Sequence, residues 1–230
     1  MFAAGVDFIT SGNHIWDKRE FRDALDETDR IIRPANYPPG SPGRGSGIVD
    51  AGGVRVGVLN LMGRVFMPPV DDPFRVAREM VDQLREQTTV VVVDMHAEAS
   101  SEKMAMGRFL DGRVALVYGS HTHVQTADEQ VLAGGTAYIT DIGMTGPSDG
   151  IIGMESAGVL QRFTQAYGER FTVQRTGPRQ FCGIVTNVEV ATGRALDVKR
   201  INLRGLALPS IFIATRASPT GRSHPRNSSR

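Results

Sequence analysis

Val90-Val91-Val92-Val93, running on into Asp94-Met95-His96, is a continuous β-branched segment that ends at a histidine. A run without alternation suits a central strand buried on both faces, the kind found in parallel sheets covered on each side. The segments around it agree. Pro73 to Gln87 reads as a helix, with Pro73 suited to its first turn and Val76, Met80 and Leu84 spaced four apart on one face. Ser101 to Leu110 reads as a second helix, and Val114 to Tyr118 as a second buried strand. Strand, helix and strand in succession point to an α/β layered fold.

Further out, three hairpins are expected where glycine-rich turns separate apolar runs. These are Ile48–Asp50 with Val54–Leu61 across Gly52-Gly53, Gln130–Leu132 with Thr136–Ile139 across Gly134-Gly135, and Phe181–Val190 with Ala195–Asn202 across Thr192-Gly193. Lys18 to Asp26 and Glu155 to Arg162 read as short helices, and Pro34 to Gly47 as a structured loop. At the start, Phe2-Ala3-Ala4 reads as a last helical turn stopped by Gly5, followed by a short strand, Val6 to Thr10. The composition changes near Leu206, and Ser, Pro, Arg and Asn dominate thereafter. The expectation is one domain over residues 1–204 and an irregular, disordered basic tail over 205–230.

The 230 residues are 40% hydrophobic and 22% charged, values of an ordinary globular protein. The net charge is +1; Arg216, Arg222, Arg226 and Arg230 supply +4 of it from the tail and leave the body near −3. A body of that charge gives no reason to expect nucleic acid as a partner. No apolar run is long enough to span a bilayer and no secretory signal is present, so a cytoplasmic location without a membrane partner is expected. The single cysteine, Cys182, lies in an apolar stretch and reads as a buried structural thiol.

Of five histidines, His224 lies in the tail, and the other four each follow a strand. Asn13-His14 follows the strand ending at Thr10, His96 follows Val90–Asp94, and His121 and His123 follow Val114–Tyr118. Ligands collect at the carboxyl ends of strands in layered α/β proteins. In extended chain His121 and His123 would point the same way and could meet one metal or two adjacent ones, with Gly119 and Ser120 allowing a tight turn before them. Two ordinary hydrogen-bonded histidines are the alternative. His96 alone reads as a hydrogen-bonded structural residue, and Gly12-Asn13 as turn chemistry.

Taken together, Gly12-Asn13-His14, His96 and Gly119-Ser120-His121-Thr122-His123 resemble the motifs of calcineurin-like metallophosphoesterases. Longer strings are similar to one branch, the YmdB-like family of 2',3'-cyclic-nucleotide phosphodiesterases. They are Gly12–Asp17, Arg33-Pro34-Ala35-Asn36-Tyr37-Pro38, Asn60-Leu61-Met62-Gly63-Arg64 and Thr140–Pro147. The resemblance runs from about Met1 to about Arg204.

This resemblance implies a four-layered α/β sandwich with two mixed β-sheets flanked by helices. It implies a phosphodiesterase acting on cyclic nucleotides or related small phosphodiesters. Asn13, His96 and His121 would hold one metal, His123 would belong to a second, and His14 would give a proton to the leaving oxygen. The two metals would be Fe or Mn, with Zn or Mg as alternatives. The family's opening strands, with an early Asp ligand and an Asn-Gly-Glu-Asn segment, have no counterpart before Asn13. On that ground about fifty residues, the size of a βαβ start, are expected to be missing. Weak or absent activity is expected as well, with a non-catalytic regulatory or binding module as the competing function. An exposed sheet edge would favour a homo-oligomer.

Overall fold

A computed structural model describes residues 1–165, 167–168 and 170–206 of the chain. A single 3-10 turn, Phe2–Ala4, is stopped by Gly5 in the left-handed region at φ 89°, as its sequence predicts. Strand β1 (Ile9–Thr10) leads to helix α1 (Glu20–Asp26), and β2 (Ile31–Ile32) pairs parallel to β1. The expected strand from Val6 is thus confined to its last two residues, and β2 is a pairing with no signal in its sequence. Strands β3 (Ser46–Ala51) and β4 (Val54–Met62) form the first hairpin.

Two crossover units follow. Helix α2 (Pro73–Arg85) leads to β5 (Val90–His96), and α3 (Ser100–Phe109) leads to β6 (Leu116–Ser120). Strands β4, β5 and β6 pair in parallel. β7 (Gln130–Val131) and β8 (Ala137–Ile139) form the second hairpin, with β8 parallel to β6. The remainder is β9 (Gly146–Pro147), α4 (Ser156–Thr164) and the long hairpin of β10 (Arg179–Glu189) and β11 (Arg194–Leu206). The tail expectation and His224 fall mainly on residues 207–230, outside the described residues.

The main sheet runs β3-β4-β5-β6-β8-β7 and is mixed. The second sheet runs β11-β10-β9, and its described pairings are antiparallel throughout, because a tight turn joins its two long strands. The architecture is the expected α/β arrangement of more than one sheet with helices.

Alternation along β5 explains why its apolar run is continuous. Val91, Val93 and Met95 are fully buried and pack in one core with Leu59 and Leu61 of β4, Val76, Ala77, Val81 and Leu84 of α2, and Met106 of α3. Val92 faces the other way, where Leu116, Tyr118 and Ala137 meet Ile184, Ala195 and Val198 of the second sheet. Helices cover one face of the main sheet and the β10–β11 hairpin covers the other. Asp72 caps α2 by accepting from the Phe74 N–H, with Pro73 in the first turn. Cys182 is buried, as its neighbours suggest.

One ion pair lies wholly inside this packing. Lys103 of α3 donates through Nζ to Asp141 Oδ2 at 2.7 Å, and both side chains are 1% exposed. The same Oδ2 accepts from the backbone N–H and the hydroxyl of Thr122, and Asp141 Oδ1 accepts from the Gly143 N–H. Gly119 makes room for the pair. A Cβ there would lie 1.8 Å from Thr140 O and 2.6 Å from the Lys103 Cδ. Gly119 is therefore a residue of close approach within β6, not the turn glycine its sequence context suggests.

Two stability outcomes follow. Gly119→Ala forces the Thr140 backbone just after β8 to move along with the lysine stem, and urea denaturation should show a loss of about 1–3 kcal/mol. Lys103→Met strands a buried carboxylate and should cost about 3–5 kcal/mol, with part recovered in the Lys103→Met, Asp141→Asn double variant because no charge is then left unpaired.

Candidate metal centre

The parallel register sets Met62, His96 and Ser120 side by side at the carboxyl ends of β4, β5 and β6. The turn after β1 is laid over this edge. The Asn60 side chain in β4 donates through Nδ2 to Ser11 O at 2.8 Å, and Ser11 Oγ donates to Ile32 O. Asn13 is thereby brought to His96 from 83 residues away. Gly12 permits the approach, because a Cβ there would lie 2.3 Å from the His96 ring.

Three donor atoms converge at this point. His96 Nε2 lies 2.9 Å from Asn13 Oδ1 and 3.1 Å from His121 Nδ1. The two imidazole rings meet edge to face, with centroids 4.8 Å apart. Glu98 Oε2 stands 3.2 Å from His121 Nε2. Burial, followed by the neighbouring His121 and the Lys103 charge, holds His96 down to about 3. Burial also lowers His121, although Glu98 opposes it. Both rings are therefore neutral near pH 7, the state in which imidazole nitrogen can accept a metal.

His14 and His123 stand apart from this trio. His14 is exposed and pairs through Nδ1 with Asp17 Oδ2 at 2.9 Å. His123 is exposed and pairs through Nδ1 with Ile152 O at 2.9 Å. Both remain within electrostatic reach of His121, which each of them lowers.

The expectation that extended chain aims His121 and His123 in one direction does not hold. Their φ angles are 101° and 66°, in the left-handed region, so the backbone rotates between them and sends the rings to different partners. Non-glycine residues in that region store strain, and such strain concentrates at functional sites. Thr122, held by Asp141, anchors the strained segment.

Several contributors carry no sequence signal of their own. Asp94 is 3% exposed and accepts from Ser120 Oγ at 2.7 Å. Burial raises it to about 6, while hydrogen bonds from Thr10 and Ser120 act in the opposite direction. Asp94 and His96 are two apart in a strand and so share a face, which is the one pattern that could have drawn attention to the aspartate.

The donor set suits a borderline cation bound by nitrogen and oxygen. It is rich in neutral groups: among the described residues, no group of three or more His, Cys, Asp and Glu is placed to hold a metal. Asn13 is the third donor, and Glu98 the carboxylate in contact with the trio. Beside His123 lies a cavity of about 160 Å³, lined by Met144, Ile152, Gln180, Asn202 and Arg204 among others.

The chain is similar to several known proteins. The chain is 47% identical over 201 residues to the 2',3'-cyclic-nucleotide 2'-phosphodiesterase of Bacillus subtilis (strain 168), covering 87% of this chain and 76% of that protein. A solved structure of a hypothetical protein from Thermus thermophilus matches with a TM-score of 0.83 and 40% identity, over 89% of this chain and 79% of that one. A solved phosphatase from Mycoplasma pneumoniae matches with a TM-score of 0.79 and 31% identity, over 88% of this chain and 74% of that one. Residues 1–201 match the family described as YmdB-like protein. With the fold, the strand-end histidines and this match in agreement, the chain belongs to the YmdB-like protein family.

Proposed function

We propose that this chain is a metal-dependent phosphodiesterase that hydrolyses cyclic nucleotides or related small phosphodiesters. The observation that carries the reading is the convergence of Asn13 Oδ1, His96 Nε2 and His121 Nδ1 at one strand edge, with both imidazoles neutral. The kinship with a named cyclic-nucleotide phosphodiesterase supports the substrate class.

In this reading Asn13, His96 and His121 would hold one cation and His123 would contribute to a second; the N/O donors suit Mn, Fe or Zn over Ca, and the family resemblance favours Fe or Mn. Bound there, such cations would supply Lewis-acid stabilisation of the phosphoryl oxygens and would lower the pKa of a water. His14 is the proton donor to the leaving oxygen. Asp17 engages its Nδ1 and orients the ring, which leaves Nε2 to handle the proton. The cavity beside His123 receives the substrate portion that leads away from the phosphorus.

Elemental analysis and hydrolysis of bis-p-nitrophenyl phosphate and 2',3'-cyclic AMP test the proposal. Turnover should depend on added Mn or Fe and disappear with chelator. His14→Ala should lower kcat about 10²–10⁴-fold with metal content retained, the range for loss of a general acid. His96→Ala should lose metal and turnover together. A second reading, a non-catalytic regulatory or binding module on the same scaffold, draws on the finding that, among the described residues, no group of three or more His, Cys, Asp and Glu is placed to hold a metal. Metal-loaded protein that turns over neither substrate would decide for it.

A further inference from the structure

The trio explains which atoms meet but not why His96 presents a bare nitrogen to Asn13. A neutral imidazole carries one proton, and the opposite tautomer, with hydrogen on Nε2, would donate to Asn13 Oδ1 and form an ordinary structural hydrogen bond. That ring could not bind a metal at Nε2. The tautomer therefore decides whether this cluster is a ligand set or a piece of packing.

We infer that Asp94 and Ser120 form a relay that keeps the His96 proton on Nδ1 and leaves Nε2 as a lone-pair donor aimed at Asn13 and His121. The inference rests on the metal-centre reading given above. An ionised carboxylate only accepts, and Ser120 Oγ donates its single hydrogen to Asp94 Oδ1 at 2.7 Å. That oxygen then has only lone pairs to offer His96 Nδ1, 3.0 Å away. Nδ1 must be the donor, so Nε2 is bare. It faces Asn13 Oδ1 at 2.9 Å, where two lone pairs meet unless a cation lies between them or the amide turns to present Nδ2.

The relay is rigid because strand register builds it. Asp94 and His96 lie two apart on one face of β5, and Ser120 of β6 is the registered partner of His96. The Thr10 hydroxyl, on the strand that leads to Asn13, meets the Tyr118 hydroxyl at 3.3 Å. Partners behind a metal-bound imidazole set its tautomer and orientation, and their loss typically costs about 10–100-fold in metal affinity. Asp94 and Ser120 are thus positioning residues, acting through His96.

The test reads the tautomer directly, apart from activity. Long-range ¹⁵N–¹H spectra of the metal-free full chain at pH 8, with the resonance assigned through His96→Gln, should show hydrogen on Nδ1 and a bare Nε2. Asp94→Asn presents an amide donor to Ser120 and reverses the relay. Ser120 then donates to Nδ1, and the ring hydrogen should move to Nε2. Calorimetric titration with Mn²⁺ should show affinity about 10–100-fold weaker for Asp94→Asn, and weaker also for Ser120→Ala, with thermal melts confirming folded protein. Hydrogen on Nε2 in the unsubstituted protein would overturn the relay, as would Mn²⁺ affinity unchanged in folded Ser120→Ala. An unsubstituted chain with the Nδ1–H ring that takes up no Mn²⁺ would uphold the relay and overturn the proposed function.

Discussion

The Lys103–Asp141 pair is where the core and the candidate site become one structure. A lysine on α3 and an aspartate just after β8, each 1% exposed, meet at 2.7 Å inside the fold. Neither charge is tolerable there without the other. Their pairing requires α3, β6 and β8 to be in place at once, with Gly119 contributing the space between them. Once formed, Asp141 has further acceptor capacity, and Thr122 and Gly143 take it up. The segment His121-Thr122-His123 is thus clamped at its centre by a group that belongs to the buried core.

That clamp accounts for the backbone of the two histidines. Left to itself, a segment following β6 would continue extended and aim both rings alike. Tying Thr122 inward places its neighbours at positive φ, and the rings part, one toward His96 and Glu98 and the other toward Ile152. The strain is carried by a bond network of the interior, so the edge is set before any ligand arrives. This is preorganisation of the kind a metal site needs, where donors must be held close to productive geometry by their supporting residues.

The second support is the parallel register of β4, β5 and β6. It stacks Met62, His96 and Ser120 in a row and puts Asp94 one step behind, on the face shared with His96. Asn60 does the equivalent for the other side of the site by fastening the turn after β1 to β4. The trio of Asn13, His96 and His121 comes from three separated segments, and each is held by its own buried polar anchor: Asn60, the Asp94–Ser120 pair and Asp141.

Much of this was legible in the residues. The β-branched run at Val90–Val93, the spacing of Val76, Met80 and Leu84, and the glycine pairs at the hairpins mark elements whose local chemistry agrees with their final state. The strand-end histidines, with Gly12-Asn13-His14, marked the edge where the candidate site lies. The short pairings β1–β2 and β9–β10 were not legible, because two-residue strands are held by their partners and not by propensity. Nor were the structural roles of Asp94, Ser120, Lys103 and Asp141, although Ser120 and Asp141 lie within the motif strings, because only the fold shows which hydrogen bonds each must make. By itself the sequence determined the longer elements, the family and the candidate histidines. Tertiary structure alone decided which of those histidines meet and which nitrogen each presents, because register, close approach at Gly12 and Gly119, and the pairing of buried charges involve residues far apart in the chain.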